Sequence, residues 1–176
     1  MGRRDRSKTP IILGRLLFVL ALIAASSSCS RLSRYTLVSQ EYGFSVTFPE
    51  KPIKQSDKNY QGLPKSLWTL YRRDYKEFYS AQATSYKEPL VTEGWTPGQK
   101  VGELVGIQLL VGKRFVLRSP ASGREAVAIS TTSLAPGGGL IYTTYIIDGT
   151  KLISVTARTD DERDRTAFLQ SLTLLR

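Results

Sequence analysis

The chain has 176 residues, 41% hydrophobic and 23% charged, enough for one ordinary domain with a buried core and at most a short appendage. It contains no His and a single Cys, which excludes His-based acid–base chemistry, Ser-His-Asp and Cys-His nucleophiles, the usual zinc frameworks and an intramolecular disulfide. Of the net charge of +10, residues 1–28 hold five basic groups against Asp5, and the other twenty basic and fourteen acidic residues are scattered without a basic block, so nucleic-acid binding finds no support.

Residues 1–28 read as an export signal: a basic segment from Gly2 to Lys8, the apolar run Leu16–Ala25, then Ser26-Ser27-Ser28. The run has ten uninterrupted apolar residues, short of the ~20 a bilayer span needs. Cys29 follows directly. Small residues before a lone Cys resemble a bacterial lipoprotein signal, and that resemblance implies lipidation of Cys29, cleavage just before it and an anchor on the extracytoplasmic side of the cell membrane or outer membrane. Ser26 stands where such signals usually carry a branched aliphatic. The alternative is an ordinary signal cut near residues 25–28, which leaves Cys29 as a stray thiol. Residues 29–34 would then be a short tether and residues 35–176 the folded domain.

Strand patterns begin at Tyr35–Ser39. Gly43–Phe48 alternates with Phe44, Val46 and Phe48 on one face, and Pro49 and Pro52 end it. Ser66–Tyr71 and Phe78–Tyr86 form the next strands, joined through Arg72–Glu77 as a hairpin. Gln99–Val111 is the first helix, its apolar face supplied by Val101, Leu104, Val105, Ile107 and Val111, with Gly102 and Gly106 allowing close packing on a sheet. Phe115–Arg118, Arg124–Thr132, Leu140–Ile147 and Lys151–Arg158 are strands, with Asp148-Gly149 a tight turn and Ala135–Gly139 a looser one. Thr159 with Glu162 has the capping-box spacing for a second helix, where Asp160 and Asp161 complement the dipole and Ala167, Phe168 and Leu172 form the apolar face. Thr173–Leu175 is a final short strand.

Strands, helix, strands, helix, with hairpins dominant, predict an α+β domain: a mostly antiparallel β-sheet with about two helices packed on it. Three stretches carry a further likeness: Tyr42-Gly43-Phe44-Ser45-Val46-Thr47-Phe48-Pro49, Gly123-Arg124-Glu125 entering a strand, and Phe168-Leu169-Gln170-Ser171-Leu172. Together they resemble the PsbP-like superfamily over about residues 35–175. The resemblance implies a sandwich-like antiparallel sheet with packed helices, and a non-enzymatic accessory or assembly role. Glu50-Lys51-Pro52-Ile53 stands where photosynthetic members often carry a Trp, which favours the general bacterial lipoprotein branch. No metal or cofactor site carries over.

The acidic run Asp160, Glu162, Asp164 lacks the glycine and distal Glu of a calcium loop and reads as helix-start electrostatics. Gly137–Gly139 lacks the Lys-Ser/Thr of a phosphate loop. The more informative stock is aromatic. Trp68, Tyr71, Tyr75, Tyr79 and Tyr86 fall on one hairpin, either filling a half-buried face or forming a contact surface for a partner. The expected function is therefore a lipid-anchored, non-catalytic envelope lipoprotein that binds or helps assemble a protein complex. An envelope hydrolase using carboxylates or a Ser/Lys pair, and a binder of anionic lipid or envelope polymer, are the alternatives.

Overall fold

The computed structural model describes residues 34–59, 62–90, 96–105, 113–119, 123, 125–136 and 138–175. The export signal, Cys29 and most of the tether lie outside these residues, as do Trp95, Gly106, Ile107 and Val111.

The fold is α+β, mostly antiparallel sheet with two helices, as the order of elements predicts. β1 (Tyr35–Ser39), β2 (Phe44–Phe48) and β10 (Thr173–Leu174) form a three-stranded sheet in the order β1-β2-β10. The second sheet has seven strands: β3 (Ile53–Lys58), β4 (Pro64–Arg72), β5 (Glu77–Ser85), β6 (Lys113–Arg118), β7 (Glu125–Leu134), β8 (Leu140–Asp148) and β9 (Lys151–Arg158). Their order is β3-β4-β5-β9-β8-β7-β6, and every pairing is antiparallel. Helix α1 covers Pro97–Val105 and helix α2 covers Glu162–Gln170.

Alternation assigns the faces. In β2, Phe44, Val46 and Phe48 are fully buried while Ser45 and Thr47 are half-buried. They meet Trp68 and Leu70 of β4, Tyr79, Ala81 and Ala83 of β5, Ile146 of β8 and Ile153, Val155 and Ala157 of β9 in the main core. Phe168 of α2 closes it, its ring 5.0 Å from Phe48 and 5.3 Å from Tyr79. A smaller core forms on the opposite face of the large sheet, where Val101 and Leu104 of α1 pack with Leu90, Ile129, Ile147 and Leu152. Each such side chain stabilises the fold by about 1.5–3 kcal/mol through the apolar area it removes from water.

The chain end is sewn back to β2. Ser45 Oγ and Thr173 Oγ1 are 2.7 Å apart, Thr47 N–H donates to Ser171 Oγ at 2.8 Å, and Leu175 N–H donates to Gly43 O at 2.8 Å.

Two local expectations need correction. The capping box sits on α1: Thr96 N–H donates to Gln99 Oε1 at 3.0 Å while Gln99 N–H donates to Thr96 Oγ1 at 3.3 Å, with Pro97 opening the helix. Thr159 does not cap α2. It is buried at the end of β9, and Asp161 is the cap, accepting from Asp164 N–H at 3.0 Å. The second correction is β3, which no alternation marks because all six of its residues are exposed. It forms an edge strand through its register with β4, from Ile53↔Thr69 to Lys58↔Pro64.

Candidate functional site

The β4–β5 hairpin was expected to gather five aromatic residues, and the structure divides them. Trp68 and Tyr79 are buried in the main core and lie on no surface, which corrects their place in a contact patch. The cause is phase: Tyr79 shares its face with Ala81 and Ala83, and Trp68 pairs directly with Ala81. Trp68 is ringed edge-on by Tyr42 at 6.4 Å and Phe44 at 5.8 Å. Tyr86 stands at the far end of β5, where Asn59 Nδ2 donates to its hydroxyl at 3.3 Å. Nine residues of strand at ~3.4 Å each hold it away from the turn.

Tyr71 and Tyr75 do come together. Their rings are 5.2 Å apart, Tyr71 is 5.0 Å from Phe78, and the two tyrosines are 51% and 74% exposed. Phe78, half-buried, is a member that sequence reasoning did not single out. Ile53, exposed on the neighbouring edge strand, extends the apolar surface from the position opposite Thr69. These are residues of the sheet face that points away from the main core.

The turn that presents them is built tightly. Arg72 pairs with Glu77 in the ladder, and Lys76 N–H donates to Arg73 O at 3.1 Å. Arg73, Asp74 and Tyr75 all have positive φ, 49°, 53° and 66°, without a glycine among them. Left-handed backbone costs roughly 1–2 kcal/mol per non-glycine residue, less for Asp, so other contacts must hold the turn. An ionic cluster beneath it does so. Glu77, almost fully buried, receives Arg73 Nη1 at 2.9 Å and Arg72 Nη1 at 3.5 Å. Arg72 also reaches Glu50 at 3.0 Å and Asp164 at 3.5 Å, so one guanidinium joins the hairpin to the end of β2 and to α2. Thr159 donates to Glu77 Oε1 at 3.4 Å. The Arg72–Glu77 contact lacks hydrogen-bond geometry, leaving Arg72 Nη1 and Glu77 Oε2 as ion-paired groups only.

Chemically, this arrangement offers two exposed phenol rings side by side on a turn braced by ion pairs. Tyrosines of this kind bury large area at low entropic cost when a protein docks. Of the acidic run Asp160, Glu162 and Asp164, Asp164 pairs with Arg72 and Glu162 lies 3.7 Å from Arg165 within α2, while the neighbouring Asp161 caps the helix. Among the described residues no three His, Cys, Asp or Glu side chains group as metal ligands, and no helix is long and apolar enough to cross a membrane.

The fold is an α+β domain with an exposed aromatic tip at the β4–β5 turn. No family model and no curated protein matches the chain. Among solved structures it is similar to the solution structure of cyanobacterial PsbP (CyanoP) from Synechocystis sp. PCC 6803, at 12% identity, covering 84% of this chain and 95% of that one, with a TM-score of 0.45. A likeness of that degree assigns no family.

Proposed function

We propose that this chain is a membrane-tethered, non-catalytic envelope lipoprotein of the PsbP-like kind, whose domain binds or helps assemble a partner protein complex. The observation that carries the reading is the Tyr71–Tyr75–Phe78 cluster on a strained, ion-clamped turn. Strain of this kind persists where surrounding contacts over-determine it, and it concentrates at sites that must be preformed. The tether rests on the sequence: an apolar run, three serines and Cys29, with Ser30–Arg34 leaving less than about 20 Å of reach to the domain. Arg31 and Arg34 would then lie near headgroup phosphates.

Two experiments test the halves separately. Mass spectrometry of the mature N-terminus, wild type against Cys29→Ala, should find acyl chains on Cys29 of the wild type alone; an unmodified wild-type terminus elsewhere ends the tether argument. A photo-crosslinking residue at position 75, in intact membranes, should give one defined adduct that Tyr71→Ala weakens. A residue at position 58 on β3 should give none. Equal, diffuse labelling from both positions would remove the contact surface.

A further inference from the structure

The seven-stranded sheet has two faces, and β5 and β9 lie at its middle. One face of this pair is sealed in the main core by Tyr79, Ala81, Ala83, Ile153, Val155 and Ala157. The same alternation places Ser80, Gln82, Thr84, Ser154 and Thr156 on the other face. The buried residues of helix α1 pack beside them, against Ile129, Ile147 and Leu152. Short polar side chains on two adjacent strands are thus flanked by long ones. Lys65 of β4 rises on one side and Tyr145 of β8 on the other, and Tyr86 and Leu104 stand at one end, between the trough and a second hollow. The result is a trough of about 330 Å³, which runs on past Tyr86 and Leu104 into a hollow of about 500 Å³ beside Pro89 and Lys100. These volumes fall in the range of small-ligand clefts.

Depth distinguishes the trough from an ordinary wet sheet face. Thr84 is 2% exposed and Ser80 7%, at positions that an antiparallel sheet normally leaves open to water. Three properties then select a ligand. Hydroxyls and the Gln82 carboxamide each donate and accept, matching a molecule whose own groups do both. The rings of Tyr86 and Tyr145 give the walls an apolar surface. Lys65, which lines the trough, is paired with Asp57 at 3.3 Å, and Lys100 of the adjoining hollow with Glu103 at 3.1 Å, so within the trough a polyanion gains little. An extended peptide is served poorly as well, because strand addition uses the main-chain ladder of an edge and this surface is the face of central strands.

We propose that this trough binds a neutral saccharide, a short glycan chain lying along β5 and β9 over the cross-strand pair Gln82 and Ser154. The site is separate from the Tyr71–Tyr75 tip and stands whether or not that tip meets a protein. The test uses the full-length protein in a detergent without a sugar headgroup, titrated with the tetramer of N-acetylglucosamine and with maltotetraose, and followed by calorimetry and amide shifts. At least one probe should bind saturably, with shifts centred on residues 82 and 154, and raising the salt should leave the affinity unchanged. Gln82→Ala should weaken binding about tenfold, the loss expected for a buried polar contact to the ligand. Ser154→Tyr, which fills the trough from its floor, should abolish it, while Tyr71→Ala should have no effect. Thermal midpoints of the variants separate lost contacts from lost folding. Failure of both probes to saturate overturns the proposal, as does binding that maps to the tip or that ignores both trough variants. Displacement of the effect to polyphosphate or to an unstructured peptide, with no saccharide response, overturns it equally.

Discussion

Tyr79 is the largest of the fully buried side chains, and its hydroxyl lies near Thr159 without a well-formed hydrogen bond, because the Thr159 hydroxyl donates to Glu77 and accepts from the Asp161 N–H. The ring is well used, edge-on to Phe168, so the oxygen is the costly part. An unsatisfied buried polar group costs about 1–3 kcal/mol. Tyr79→Phe is therefore expected to be neutral or to stabilise by about 1 kcal/mol, read as the urea midpoint at unchanged slope. Burial also pushes the Tyr79 phenol above its ordinary range, and Tyr145 likewise. The fold then favours the neutral phenol: its contribution is complete below a pH of about 10 and is lost as pH rises through the raised value. Wild type should lose stability on the alkaline side, and Tyr79→Phe should lose less, with the limb due to Tyr145 remaining. Thermal midpoints across that range decide it; identical curves would show that Tyr79 does not titrate with unfolding. The sequence held a sign of this burial, since Tyr79 is in phase with Ala81 and Ala83 and out of phase with Ser80, Gln82 and Thr84. The number of aromatics on a hairpin leaves open whether they fill a face or form a surface, and the alanines that share the face of Tyr79 decide it for the core.

At the level of elements, the turns and helix ends carry the sharper expectations. The β8–β9 turn leaves Gly149 and Thr150 between paired Asp148 and Lys151, and Gly149 has a φ of 59° with open space where a side chain would stand. Space does not remove the backbone penalty, so Gly149→Ala is expected to destabilise by about 1 kcal/mol, and Gly149→Asn by less. The Asp148-Gly149 signal was legible because a single residue type suits that backbone. The Arg73–Tyr75 turn was not, because its left-handed run is imposed by ion pairs with Glu50, Glu77 and Asp164, from three separate parts of the chain. Glu77→Gln removes the charge that two arginines share, while Arg72 keeps Glu50 and Asp164. The expected cost is about 2 kcal/mol, below that of stripping a buried charge of all its partners. Faster amide exchange at residues 73–76 should accompany it. At the start of α2, the backbone N–H of Asp164 holds the Asp161 carboxyl below the usual carboxylate range. A lowered folded-state value gives stability above the unfolded one that disappears as pH falls through it, so Asp161→Ala should destabilise at neutral pH and match wild type in strong acid.

The whole molecule depends on contacts that no local pattern announces. Each hairpin could be read from its strands and turn, but β5 pairs with β9 and β2 with β10, and those pairings decide that there are two sheets. β3 escaped for the opposite reason: an all-exposed edge strand has no hydrophobic period, and only its ladder to β4 defines it. Phe168 is where the two sheets and α2 meet, touching Phe48 on one side and Tyr79 on the other while almost wholly buried. Truncation there removes the ring and opens a cavity that neither sheet can fill, because each is braced by its own ladder. Phe168→Ala is expected to cost about 3–5 kcal/mol, against a total of roughly 5–15 for a domain of this kind. Phe168→Leu keeps most of the volume and should cost less than about 1.5 kcal/mol. If the three-stranded sheet, α2 and the seven-stranded sheet unfold as one unit, the Ala variant lowers the urea midpoint with an unchanged slope and a single transition. Two transitions, with β1, β2 and α2 exchanging before β5 and β9, would show that the sandwich is two folding units in contact.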